Sequence, residues 1–231
     1  MQKILFLDIE TDKLDAEKIH IVVCKDGQTG TLNYFIEPDN FNKFILKYDI
    51  FVGHNILSFD APILNKLWNS CIPLSKIVDT FLLSALFNPD REGKHSLAAW
   101  GRRLNLGKIE YTDFSKFNKE MLKYCINDVE ITYKLYHYLI DIEKKDFSDK
   151  SIRLEHKIRH VINKQERHGF YLDVEKAHKL MIEIRDEAQD IEDNLLRKVS
   201  LKAKLIKEVK LKIKKDGTLS TVGLKNYDIS T

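Results

Sequence analysis

Two carboxylates, Asp8 and Glu10, stand two residues apart at the end of the run Lys3-Ile4-Leu5-Phe6-Leu7-Asp8-Ile9-Glu10-Thr11. An apolar run of this length reads as a buried strand. Side chains alternate along a strand, so both acids point to one face, about 7 Å apart along the backbone. Acids that converge there repel each other and lose water, and a hard divalent cation relieves both costs because it takes carboxylate oxygens. The alternative is a solvated strand end in which Asp8 caps a turn. Asp60 follows Ile50-Phe51-Val52-Gly53-His54-Asn55 and opens a helical pattern, as a third ligand or as a helix cap. Tyr124 and Asp128 are four apart in a helical stretch and share a face. A phenol over a carboxylate can position a water there, and ordinary packing is the alternative. Asp79 and His95 read as structural, Asp79 as the cap of a helix over 81–87 and His95 as a satisfied histidine.

The elements that must hold these residues are legible from composition. Ile19–Cys24 and Thr31–Ile36 have strand character, with Asp26-Gly27-Gln28-Thr29-Gly30 as a hairpin turn between them. Phe41, Phe44, Ile45 and Tyr48 recur at helical spacing. Asp60 to Trp68 reads as a helix with Pro62 in its first turn. Ile77-Val78 is a last short strand, a helix begins near Ser96, and another runs from about Asn118 to Lys144 without internal Gly or Pro. This order predicts an α/β fold, a mixed sheet flanked by helices. Beyond Phe147 the pattern is wholly helical. Ile152, Glu155, Ile158, Val161 and Ile162 form one stripe, closed by His168-Gly169. Ala177, Leu180, Met181, Ile184, Ala188, Ile191 and Leu195 form a second. Both stripes are expected to bury against the sheet or against a partner.

The 231 residues are 43% hydrophobic with 9 Gly and 4 Pro, enough for a sizeable core and too little Gly and Pro for a long disordered region. Cys24, Cys71 and Cys125 show no paired spacing and read as reduced thiols, not a zinc site or disulfide frame. Neither a signal peptide nor an apolar run of membrane-spanning length is present, so a soluble, cytoplasmic protein that binds no membrane is expected. Charge is uneven. Leu196 to Lys215 holds nine basic residues against Glu208, so this segment carries +8 and the remainder −5 of the net +3. It is either a polyanion-binding arm or a solvated lysine-rich helix. Residues 216–231 lack periodicity and read as a linker or cut end.

Together the acidic segments resemble the DEDD superfamily of 3′→5′ exonucleases. The Asp-x-Glu motif is Asp8-Ile9-Glu10, the Asn-x-x-x-x-Asp motif runs from Asn55 to Asp60, and Tyr-x-x-x-Asp is Tyr124 to Asp128, the mark of the tyrosine subgroup. Gly53-His54-Asn55, Phe59-Asp60-Ala61-Pro62-Ile63-Leu64, Val78-Asp79-Thr80, His95-Ser96-Leu97-Ala98-Ala99-Trp100-Gly101 and Lys164-Gln165-Glu166-Arg167-His168-Gly169-Phe170 are similar to the proofreading region of phage family A DNA polymerases. Lys214-Lys215-Asp216-Gly217-Thr218 resembles the connector before the polymerase palm.

The resemblance implies a ribonuclease H-like exonuclease domain over residues 1–147, a helical C-terminal extension over 148–215 resembling the start of the polymerase region, and a linker or cut end over 216–231. Neither palm nor fingers nor thumb follows, so no polymerase activity is carried over. It implies two divalent cations, Mg²⁺ or Mn²⁺, held by Asp8, Glu10, Asp60 and Asp128, with Asp8 shared between them. Tyr124 and Glu10 would orient the attacking water. Thr11, Leu14, Asn55 and Phe59 stand at positions that contact the terminal nucleotide, with a core role the alternative for Phe59. The implied substrate is a single-stranded or frayed DNA 3′ end, and the implied partner a DNA polymerase subunit or the missing polymerase domain, in the host cytoplasm if the chain is phage-encoded. A non-catalytic DNA-binding or polymerase-tethering module and an RNA-directed 3′→5′ exonuclease are the competing readings.

Overall fold

The computed structural model describes residues 2–107, 109–145 and 147–199. The basic segment beyond Val199 and the 216–231 tail lie outside the described residues. The chain forms two units, Met1–Gly169 and Phe170–Thr231. The first contains a five-stranded sheet in the order β3-β2-β1-β4-β5. Its strands are β1 (Ile4–Thr11), β2 (Ile19–Asp26), β3 (Leu32–Phe35), β4 (Ile50–Gly53) and β5 (Ile77–Asp79). β1, β2 and β3 are antiparallel neighbours, whereas β4 and β5 run parallel to β1. This is the mixed sheet that the sequence pattern predicts, and it has the ribonuclease H-like class that the resemblance implies.

Turn chemistry sets the antiparallel half. Asp26 Oδ1 accepts from the backbone N–H of Gln28 and Thr29 at 2.8 and 2.9 Å, and Gly30 takes a φ of +72° that a side chain would disfavour. The β4 and β5 crossovers are helical. α1 (Pro38–Ile45) and α2 (Asp60–Leu67) pack on one face of the sheet through Phe41, Ile45 and Leu64 against Leu5, Leu7 and Ile9. α5 (Lys119–Tyr138) covers the opposite face with Met121, Cys125 and Val129 against Phe6, Val23 and Val52. β1 is therefore covered on both faces, which is why its sequence reads as a nearly unbroken apolar run.

α3 (Thr80–Phe87) and α4 (Leu97–Arg103) complete a third cluster with the end of α5. Here the Trp100 indole N–H donates to Ser84 Oγ at 2.9 Å, which satisfies the one polar atom of a buried ring. α5 passes into a π-helical turn over Leu139–Glu143, so the predicted continuous helix to Lys144 changes its hydrogen bonding in its last turns.

α6 (Asp149–His168) starts at Ser148, whose hydroxyl accepts from Ser151 N, and stops at Gly169 with φ +68°. Its exposed face departs from expectation. Ile158 and Val161 of the predicted stripe are exposed, and the buried residue of this helix is Asn163. Ile152, Glu155 and Ile162 of the stripe are half-buried, Ile152 against the third cluster, so the inward face is shared between apolar and polar contacts. α7 (Val174–Lys198), in the second unit, contains no buried residue, and Leu180, Met181, Ile184, Ile191 and Leu195 remain exposed. Among the described residues no helix is long and apolar enough to cross a membrane.

One glycine follows directly from packing. A Cβ on Gly53 would stand 2.7 Å from Ile56 Cβ, in a region where Ile56 is fully buried. Gly53→Ala is expected to cost about 1–3 kcal/mol through forced displacement of Ile56. Chemical denaturation reads the loss directly, and an unchanged midpoint would contradict the packing.

Candidate active site

The site begins at β1. Leu5, Leu7 and Ile9 enter the core under α1 and α2, so alternation turns Asp8 and Glu10 toward α5. An oxygen of each carboxylate and the Cys125 sulfur all lie within 4.8 Å of one another. The β1–β2 register shifts between Glu10 and Thr11, a bulge that leaves both residues buried in succession.

Asp60 arrives from the opposite layer. It is the first residue of α2, and the preceding Phe59 offers no side-chain cap. Its Oδ1 accepts from Ile9 N at 3.1 Å, the backbone amide between Asp8 and Glu10. The cap alternative for Asp60 is thereby replaced by a bond to the central strand.

α5 supplies the remaining groups. Asn118 Oδ1 accepts from Met121 N at 2.8 Å and starts the helix, so that Met121, Cys125, Asp128, Val129 and Thr132 form its buried stripe. Cys125 Sγ donates to the main-chain oxygen and to Oδ2 of Asp8, both at 3.5 Å. Tyr124 is half-buried, its ring 5.6 Å from Tyr111 and 6.1 Å from Phe114 between centroids.

The electrostatics tie the four acids together. Asp8 is half-buried by exposed area, yet surrounding protein atoms desolvate its carboxyl and push it well above the usual carboxylate range. The charges of Asp60, Glu10 and Asp128 add to that rise in this order, and the Cys125 thiol opposes it. Burial likewise pushes Asp60 up to about 7, opposed by the backbone N–H groups of Asp60 and Ile9 and reinforced by the Asp79 charge. The Asp60 charge is thus the largest of the three that raise Asp8. Burial, then Asp8 and Glu10, holds Cys125 as a protonated thiol. A buried group of carboxylates that cannot all ionise unaided is the donor set for hard divalent cations, and the protonated sulfur does not change that preference.

The loop before Asp60 has its own support. Asn55 has φ +62° and its carbonyl accepts from Ser58 N and Phe59 N, both at 3.1 Å. Asp79 accepts from Asn55 N at 2.8 Å, Leu57 N at 3.1 Å and Phe81 N at 3.0 Å. It is the cap that the sequence predicts and also the tie that shapes this loop. His95 is structural, with Nδ1 bonded to Ser84 Oγ at 2.8 Å. Its Nε2 lies 3.4 Å from Pro89 O.

The four expected nucleotide contacts are dispersed in environment. Leu14 is 89% exposed, and the Asn55 side chain is exposed. Phe59 is half-buried and packs on the core under α2, and Thr11 is buried with its hydroxyl donating to Lys13 O at 2.9 Å. Cys125 was not among the expected site residues. Its place one residue after Tyr124 and three before Asp128 is the signal that could have found it.

No family model matches the chain. It is 26% identical over 257 aligned positions to the DNA-directed DNA polymerase of Enterobacteria phage T3, covering 83% of this chain and 36% of that polymerase. The corresponding protein of Escherichia phage T7 is 26% identical over 259 positions, with 84% and 36% covered. The chain thus spans about a third of the length of these curated relatives. Among solved structures, Brucella melitensis NrnC bound to pGG superposes with a TM-score of 0.58 at 18% identity, over 72% of this chain and 85% of that one.

Proposed function

We propose that this chain, whose likeness to phage DNA polymerases and whose ribonuclease H-like fold fit an exonuclease domain, is a divalent-metal-dependent 3′→5′ exonuclease that removes nucleotides from DNA ends. The observation that carries the reading is the mutual influence of four carboxylates, in which Asp60, Glu10 and Asp128 all raise Asp8. A binding module without chemistry has no use for such a concentration of like charge facing a phosphate.

Asp8, Glu10, Asp60 and Asp128 would hold two Mg²⁺ or Mn²⁺ ions. Bound there, the ions supply charge relief to the phosphate and acidify a water. Glu10 and the Tyr124 phenol orient the attacking water. The Ile9 amide fixes the Asp60 carboxylate against β1, and the Tyr111 and Phe114 rings limit the swing of Tyr124. The exposed Leu14 and the half-buried Phe59 offer apolar surface to the terminal base, which stacks without sequence preference. Thr11 and Asn55 flank the terminal nucleotide. The domain of residues 1–147 would proofread for a family A polymerase, supplied as a separate subunit or as a domain continuous with this chain, with the segment 148–215 and its basic arm facing it and the duplex.

A DNA primer labelled at its 5′ end and mismatched at its 3′ end, incubated with Mg²⁺, is expected to shorten one nucleotide at a time, and to remain intact when the metal is chelated. Full-length DNA after incubation with Mg²⁺ or Mn²⁺ would remove this reading in favour of a tethering module. Faster shortening of RNA than of DNA would favour an RNA-processing role.

A further inference from the structure

Beside half-buried Ile152 and Ile162, the inward face of α6 carries polar groups that reach the loop before Asp60 and Asp79. His156, Arg159 and Asn163 are spaced three, four and seven residues apart, which places them on one helix face. Asn163 is 4% exposed, the buried residue of a 20-residue helix. Both ends of its amide are engaged by the segment that precedes Asp60. Nδ2 donates to Leu57 O at 3.0 Å, and Oδ1 accepts from Ser58 Oγ at 3.1 Å. Arg159 Nε donates to the same Ser58 hydroxyl at 3.1 Å. One turn earlier, His156 Nε2 accepts from Asp79 N at 2.9 Å while its Nδ1 donates to Ile152 O at 2.8 Å. That pair of bonds requires the neutral ring with its proton on Nδ1.

The geometry points to Asn163, with Arg159 and His156, as positioning residues that hold the Leu57–Asp60 segment so that the Asp60 carboxylate meets β1 in a metal-competent arrangement. This inference rests on the exonuclease reading. Ile152 and Ile162 give the helix an apolar anchor while Ile158 and Val161 stay exposed, so an anchor alone does not call for a buried amide at Asn163. The polar contacts instead converge within three residues of Asp60. His156 also grips Asp79, whose carboxylate accepts from Asn55 N and Leu57 N. Leu57 is therefore fixed at both backbone groups, its N–H by Asp79 and its carbonyl by Asn163. Asp60 follows three residues later and bonds between the two acids of β1.

Outer partners of metal ligands tune affinity and rate by roughly ten- to a hundredfold. Asn163→Leu keeps the branching at Cγ and removes both bonds. It is expected to lower kcat for 3′ shortening and to weaken Mn²⁺ binding, measured by electron paramagnetic resonance titration without DNA, each within roughly that range. The KM for the DNA end is expected to rise as well, because Phe59 lies in the same segment, so the Mn²⁺ titration without DNA is the deciding readout. Asn163→Gln, which retains a donor and an acceptor, should recover part of both losses. Ser58→Ala removes the hydroxyl shared by Asn163 and Arg159 with little risk to folding, and should weaken Mn²⁺ in the same direction. If these variants lower only the melting temperature, with Mn²⁺ affinity and kcat per folded molecule unchanged, the residues merely anchor α6 and the inference fails. A parent protein that shortens no DNA would remove the exonuclease reading, while the Mn²⁺ titration would still decide this one. A parent that binds no Mn²⁺ would overturn both.

Discussion

Asp8→Asn is expected to reduce 3′ shortening by at least about a thousandfold, the consequence of losing several kcal/mol of charge stabilisation from the metal centre. The same substitution should make the metal-free protein more stable, by about 1–3 kcal/mol near neutral pH. The two effects share a cause. Asp8 is desolvated and lies within the field of Asp60, Glu10 and Asp128, so ionising it in the absence of a cation is costly. Asparagine keeps an acceptor for the Cys125 thiol and removes the charge. Gel analysis of labelled primer gives the first effect and denaturant unfolding in chelator gives the second. Activity within tenfold of the parent would place the chemistry elsewhere, and a loss of metal-free stability would contradict the repulsion.

The second large effect is a pH dependence that divalent metal reverses. Folding raises Asp60 to about 7, whereas the unfolded chain releases this proton near the ordinary value of about 3.9. Between those two pH values the folded state binds more protons, so stability falls as pH rises. The fall is at most about 4 kcal/mol for Asp60, with Asp8 adding in the same direction. Carboxyls held low in the folded state, such as Asp12 under the Lys18 N–H bond, act in the opposite sense, but below this window. Mg²⁺ requires the ionised carboxylates, so its stabilisation should be larger at about pH 8 than at about pH 5. Thermal unfolding with Mg²⁺ and with chelator at both pH values tests this. An increment from Mg²⁺ that is equal or greater at the acidic pH would contradict the assignment.

Local rules explain what was legible in the sequence. β1 reads correctly because both of its faces are buried, and its two acids interrupt the apolar run where alternation puts them on one side. Asp79 reads as a cap, and the helix starts read near Ser96 and Asn118 are capped by those residues, because capping is a contact within three residues. The partner of Asp60 was not legible. Its bond to Ile9 spans 51 residues, and local pattern allowed a cap just as well. The polar share of the inward face of α6 was not legible for a similar reason. Hydrophobic periodicity selects an apolar inward face, but Leu57 O and Ser58 presented polar groups that had to be satisfied at long range. Cys125 looked like an ordinary core thiol until the fold set it against Asp8.

Asp79 carries a consequence for motion. One carboxylate accepts from Asn55 and Leu57 in the loop and from Phe81 in the first turn of α3. Releasing the loop therefore exposes the start of a neighbouring helix, and unwinding that helix frees the loop. The two open together or not at all. The segment leading to Asp60 behaves as a fixed wall of the site instead of a lid over it, and the freedom needed to admit and discharge a strand end must come from exposed side chains such as Leu14.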